Sequence, residues 1–332
     1  MTLQTTATLA NSLPDVYVET RFVDALRAKL VVAPLGRPST LPDNSGKKVR
    51  WNYFSNPTTN VTTALSEGTD PSDITAPSIN AAEGTLLEYA GKQPFSRFLV
   101  RSAVSGTMDE IIKYVGYNGA WLMDMLTQKE LSNIAAGSKI DLGAGMSADG
   151  LRRAAAFLSG AGRGSSAIDA GAFSFPTGAP GPAEPHSSTP GGQFYCAVLS
   201  AEAAYDMIGE GAPSWFQAKS RDVEAALTTP LRDTPATAAA YGCIVKISQA
   251  VLRDNSTAPD NDLNYVVGND LFGTAALDIP TLQPRVIVTM PEQNIAAPAR
   301  NWGVVAFWFL YVAKLIDSNR GVQLATDATG IG

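Results

Sequence analysis

The sequence predicts an α+β fold in two domains, and three observations carry that reading. Two segments rich in aromatic and branched residues, "KKVRWNYF" (Lys47 to Phe54) and "LLEYAGKQPFSRFLV" (Leu86 to Val100), read as strands. About thirty residues of turn chemistry separate them, where a hairpin loop has about two to five. A long helical pattern follows, and strand-like segments return only near the end of the chain.

Residues 1 to about 14 read as a loose arm. "DVYVETRFVDALRAKLVV" then places Val18, Phe22, Leu26 and Leu30 at four-residue intervals, an amphipathic helix that stops before Pro34. "APLGRPSTLPDNSG" is a turn-rich connector. After the strand, long loop and strand comes "SGTMDEIIKYVGYNGAWLMDMLTQKELSNIAAG". Thr107 and Glu110 fit a capping box, Ile111, Val115, Leu122 and Leu126 lie near one face, and Gly137 is the expected stop. The helix would run for nearly thirty residues, against about eleven for an ordinary one. Gly116 and Gly119 near its middle predict a bend or a close neighbour.

From Ser138 the texture changes to short Ala-rich helices, "SADGLRRAAAFLS" and "SAEAAYDMIG", separated by loops. Residues 160 to 192 are dense in Gly, Pro and Ser and read as a mobile surface loop. Strands close the chain: "YGCIVKISQAVL", "LNYVVG", "PRVIVTM", "WGVVAFWFLYVAKLI" and "RGVQLATDA". The run Val304 to Ala313 is half the length a membrane-spanning helix needs, at about 20 residues, and its branched and aromatic content predicts a strand covered on both faces.

The 332 residues are 45% hydrophobic and 17% charged, so the chain is long enough for a large core and is not disordered overall. Its 25 Lys and Arg against 31 Asp and Glu give a formal charge of -6, which argues against tight wrapping of duplex DNA. The N-terminus lacks the basic start and apolar stretch of a signal peptide, which predicts a cytoplasmic site of synthesis and retention.

Catalytic chemistry finds few parts. The only histidine, His186, lies in the Gly- and Pro-rich loop and reads as a solvated residue, so a multi-His zinc site and a Ser-His-Asp triad have no basis. Cys196 and Cys243 lack metal spacing and read as core residues. "GAGRGSS" follows a helix and lacks the GK[ST] ending of a phosphate loop. Glu67, Asp70 and Asp73 in "EGTDPSD" miss the EF-hand pattern. No catalytic residue, cofactor or metal is expected. Lys47, Lys48 and Arg50 on one strand, and Lys92, Arg97 and Arg101 on the other, bracket the acidic loop, so unlike charges would meet if that arm lay on a neighbouring copy.

This order of elements resembles the Hong Kong 97 fold of tailed-phage major capsid proteins, and within it the coat proteins of the phage N-four type. The resemblance rests on "YVETRFVDALRAKLVVAPLGRP", "LPDNSGKKVRWNYF", "TTALSEGTDP", "YVVGNDLFGTAALD" and "NWGVVAFWFLYVAKLIDSNRGVQLATDA", in the family's order across most of the chain. It implies an N-terminal arm (1–45), an extension loop (46–100), a peripheral domain with a spine helix (101–137), an axial domain (138–285) and return strands (286–332). Extended, the extension loop would reach roughly 50 Å at ~3.3 Å per residue. Its inter-subunit contacts would involve Leu65, Glu67, Asp70, Asp73, Arg50, Lys92 and Arg97.

The resemblance further implies a non-enzymatic virion protein, assembled in the host bacterial cytoplasm. Its partners would be further copies of itself in hexamers and pentamers, a portal, separate scaffolding or cement proteins, and weakly held double-stranded DNA, with no membrane. No Lys-Asn-Glu crosslinking trio matches. An encapsulin-type compartment shares the fold, and nuclease-resistant DNA in the particles separates the two. A cytoplasmic α+β enzyme using Ser, Asp and Lys of the Gly-rich middle would instead elute as a monomer.

Overall fold

The computed structural model describes residues 20–26, 29–41, 46–54, 79–98, 107–135, 138–142, 145–159, 165–169, 173–176, 184–187, 194–209, 237–240, 242–254, 261–277, 285–289 and 301–327. In chain order the first strands are β1 (Arg37–Leu41), β2 (Lys48–Phe54), β3 (Ile79–Thr85) and β4 (Leu87–Ser96). The spine helix α1 (Thr107–Leu131) follows, then β5 (Lys139–Asp141), α2 (Ala148–Leu158), β6 (Ser165–Asp169), β7 (Phe173–Pro176), β8 (Tyr195–Leu199) and α3 (Ala201–Gly209). The remainder is strand: β9 (Thr237–Ala240), β10 (Cys243–Ile247), β11 (Arg253–Asp254), β12 (Asn261–Val267), β13 (Phe272–Leu277), β14 (Arg285–Thr289), β15 (Trp302–Leu315) and β16 (Gly321–Asp327).

Among the described residues these strands form a five-stranded sheet (β1-β13-β15-β14, with β4 also on β15) and a seven-stranded sheet (β5-β16-β12-β8-β10-β9, with β11 on β12). β2 pairs with β3, and β6 with β7. The chain passes between the large sheets three times, through α1 on the way from β4 to β5 and by short connections at 268–271 and at 316–320. The short connections are tied together: Gly268 N–H donates to the Arg320 carbonyl at 3.0 Å, and Ile316 N–H to that of Leu271 at 2.9 Å. Asp270 takes the left-handed conformation there (φ 57°), which Asp tolerates better than most residues, and its carboxylate lies 3.9 Å from both Arg37 and Arg320.

Alternation decides what each sheet buries. Along β15, Val305, Phe307, Phe309 and Tyr311 are buried against α1 and the helical residues 20–26. Their rings pack in series, Phe22–Phe307 at 6.1 Å and Phe307–Phe309 at 5.9 Å stacked and Phe309–Tyr311 at 6.3 Å edge-to-face, each pair worth about 0.5–1.5 kcal/mol beyond area burial. The Thr127 hydroxyl donates to the Met123 carbonyl at 2.8 Å, so it accepts from the Tyr311 hydroxyl at 2.7 Å. The intervening residues Trp302, Val304, Ala306, Trp308 and Leu310 are only half-buried, so the expected cover on both faces is incomplete. Among the described residues the second face is covered at its C-terminal end, where Leu310 and Val312 pack in one cluster with Val49 and Trp51.

The seven-stranded sheet is covered by α2 and α3 on one face, where Leu151, Leu158, Ala203 and Met207 are buried. The other face packs on Val32, Leu35, Leu131 and Ile134. Both Ala-rich helices begin on a serine: the Ser147 hydroxyl accepts from Gly150 N–H at 3.2 Å, and that of Ser200 from Ala203 N–H at 3.0 Å.

Several expectations need correction. The partner of β2 is β3, from residues read as loop, in register from Lys48↔Thr85 to Phe54↔Ile79, while β4 pairs with β15 along Leu87↔Tyr311 to Ser96↔Trp302. The connector after Pro34 contains β1, parallel to β13; Pro38 sits there because an edge strand can spare an N–H. The spine has 25 residues and ends at Leu131, with turns at Ser132 to Ile134, so Gly137 does not stop it. Ser165–Asp169 and Phe173–Pro176, within the supposed surface loop, pair as strands.

Gly116 marks a close neighbour. A Cβ there would lie 2.9 Å from the Ala25 Cβ and 3.0 Å from the Phe22 carbonyl oxygen. Gly116→Val should therefore lower subunit stability by about 2–3 kcal/mol through overpacking, although Gly costs a helix about 1 kcal/mol. Thermal melting checks this, and an unchanged or raised midpoint would refute the close approach.

Candidate inter-subunit surface

The β2/β3 ribbon is built to be held at one end. At its base Val49 and Trp51 face inward and are buried, while Lys48, Arg50 and Asn52 face outward. The Trp51 indole occupies space a side chain at Gly273 would need, since a Cβ there would come within 2.3 Å of it. Gly84, across the ribbon, is similarly close to Trp51 and Val312. At the far end, Phe54 and Ile79 face each other in register and are 59% and 65% exposed. A two-stranded ribbon is marginal alone in water, and large apolar groups at its free end gain most if a second surface covers them.

Of the residues expected to contact a neighbour, Arg50 is exposed and stands directly across from Glu83 of its own chain. Lys92 is exposed on β4 opposite Ala306, and Arg97 follows β4, half-buried, its N–H donating to the Asn301 carbonyl at 2.8 Å. Lys92 and Arg97 therefore belong to the β4/β15 pairing and not to the ribbon that carries Arg50. Leu65, Glu67, Asp70 and Asp73 lie outside the described residues. Sequence reasoning passed over Tyr114, Tyr117 and Trp121, exposed on α1, whose three- and four-residue spacing off the buried face was the available signal.

The segment 31–36 links the two sheets, and buried ionisable groups hold it at both ends. The Asp124 carboxylate on α1 accepts from the backbone N–H groups of Val31 at 2.9 Å, Val32 at 3.1 Å and Ala33 at 3.0 Å. Burial raises its pKa, and the three N–H groups work the other way. At the other end His186 is 4% exposed, not solvated as expected. Its Nε2 lies 2.7 Å from the Leu35 carbonyl, and a carbonyl only accepts, so Nε2 carries the proton.

Burial lowers the His186 pKa, with the Leu35 bond opposing. The neutral ring is therefore the folded form. As pH falls below about 6.5 the unfolded chain takes up this proton first, so His186 contributes stability at neutral pH that is lost on acidification, at up to about 1.4 kcal/mol per pH unit. Subunit melting should fall between pH 6.5 and 5, and His186→Gln should flatten that slope. Identical slopes would show that the ring is not held neutral.

Cys196 and Cys243 are both buried and free. Ile244, not Cys243, is the register partner of Cys196, so the thiols face opposite sides of the sheet and join different cores. Burial pushes the Cys243 thiol up to about 12, far from a reactive thiolate.

Neither a protein-family model nor a curated protein matches the sequence. Solved structures do share its fold. The capsid of Ralstonia phage GP4 superimposes with a TM-score of 0.63 at 13% identity, over 90% of this chain and 88% of that one. The head structure of Helicobacter pylori bacteriophage KHP40 gives 0.55 at 9% identity, over 88% and 86%. A virus-like particle from Pyrococcus furiosus gives 0.52 at 9% identity, over 93% and 98%. The chain thus has the fold of tailed-phage capsid proteins along nearly its whole length.

Proposed function

We propose that the chain is a major capsid protein: a structural, non-catalytic subunit whose copies assemble as hexamers and pentamers into the icosahedral head of a tailed bacteriophage around double-stranded DNA. The observation that carries this reading is the ribbon anchored by Trp51 and reaching exposed Phe54 and Ile79, on a fold shared with a phage capsid over 90% of the chain. The 24 residues at 55–78 that join its strands can extend its reach by at most about 40 Å, enough to cross a neighbouring subunit.

In this reading Leu65, Glu67, Asp70 and Asp73 of that connection, with Arg50, Lys92 and Arg97, contribute contacts between subunits. The charge of -6 suits a container that holds DNA weakly. A portal, separate scaffolding or cement proteins complete the partner set. The protein resides in the virion after assembly in the host bacterial cytoplasm.

A second reading, an encapsulin-type compartment with a protein cargo, draws on the likeness to the Pyrococcus furiosus particle. Particles purified from infected or expressing cells, treated with nuclease and then opened, decide between them. Protected genome-length DNA from infected cells supports the head; protein cargo without DNA supports the compartment. A monomer that yields no particles under the microscope overturns both.

A further inference from the structure

The outward face of α1 carries an aromatic seam that stands exposed among the described residues. Tyr114, Tyr117 and Trp121 are 55%, 40% and 53% exposed, and Met125 continues the row half-buried. Their spacing of three, four and four residues is that of a helix face packing on another helix. Lys29 flanks the seam with its ammonium 5.3 Å from the Tyr117 ring centre. Exposed Glu110 precedes the row by one turn and exposed Lys129 follows it by one turn.

This pattern reads the same in both directions. About the midpoint between Gly119 and Ala120, Glu110 is related to Lys129, Tyr114 to Met125, and Tyr117 to Trp121 within one residue. We propose that α1 pairs through this seam with α1 of a second copy, antiparallel about a two-fold axis, Tyr117 meeting Trp121 of the other copy and Glu110 meeting its Lys129. A two-fold contact must be self-complementary, and a face with one acidic and one basic end satisfies that only when antiparallel. Parallel pairing would set like charges together. Glu110 already holds Lys113 at 2.7 Å within its own helix, which leaves carboxylate capacity for a second cation. The pairing goes beyond the capsid reading and does not depend on a closed shell, because two copies suffice.

The test is a charge swap. Glu110→Lys and Lys129→Glu should each weaken pairing roughly tenfold, by replacing two attractions per dimer with two repulsions, and the double variant should recover it. Within one helix the two positions are ~28 Å apart, too far to restore each other. The double variant also opposes the helix dipole at both ends, so recovery cannot come from a more stable subunit. Sedimentation equilibrium of the full chain reads the association, with Trp121→Ala expected to lower it further than either single swap.

Zero-length carbodiimide coupling of mixed light and isotope-labelled protein should join Glu110 of one copy to Lys129 of another. Additive weakening in the double variant, or shells in which that mixed crosslink is absent, would overturn the pairing while leaving the capsid reading intact. Crosslinked dimers that never close into shells would support the pairing and count against the capsid reading.

Discussion

Replacing residues 55–78 by Asn-Gly is expected to leave a folded subunit that forms no closed shell. The register places Phe54 opposite Ile79, so a two-residue turn can close the ribbon there. The excision spares Val49, Trp51 and Ala82, which pack in the core at the ribbon's base. Subunit melting should change little. Assembly should fail completely, because in a symmetric shell a lost contact is lost at every equivalent interface, and even ~1 kcal/mol per copy compounds. Circular dichroism and melting of the dissociated subunit, beside sedimentation and microscopy under assembly conditions, provide the measurement. Normal shells from the shortened chain would remove the arm from the assembly mechanism, and an unfolded subunit would assign the connection to the core.

Asp124→Ala should cost more stability than any other single polar truncation considered for this chain. It strands three backbone N–H groups, two of them in buried bonds, each with a desolvation penalty of about 1–3 kcal/mol. A net loss of about 3 kcal/mol would lower the melting temperature by roughly 6–12 °C. Asp124→Asn should fall between the two, since its amide oxygen still accepts while its NH2 faces donors. The damage should extend beyond α1, because Leu35 in the same segment accepts from His186 and packs on the seven-stranded sheet. A melting temperature within about 2 °C of the parent would show that water satisfies these groups as well as the carboxylate does.

Elements whose neighbours in the chain are enough to define them were legible before any tertiary contact was known. The spine follows from its apolar period, the Ala-rich helices from their composition between loop-like stretches, and the strand at Val304–Ala313 from branched and aromatic density. Phe22 and Leu26 announced their burial by four-residue spacing, whereas Gly116 left a bend and a close neighbour equally open until Ala25 and Phe22 were placed against it.

Features that depend on residues far apart in the chain became visible in the folded chain. The segment Ile79–Thr85, "INAAEGT", has almost no strand signal of its own and is a strand because β2 offers it a hydrogen-bonded edge. Leu87–Ser96 read as the partner of β2 in a long two-stranded hairpin, but β15, more than 200 residues later, supplies a longer partner with an aromatic face. His186 sits among Gly, Pro and Ser, and nothing local distinguishes it from a solvated residue; its burial depends on the Leu35 carbonyl 151 residues away. Asp124 reads as a polar interruption of a helix until the three N–H groups of residues 31–33 are brought to it. Periodicity reports which face of an element is apolar, whereas partners in a sheet and donors to a buried carboxylate are chosen by where the whole chain places them.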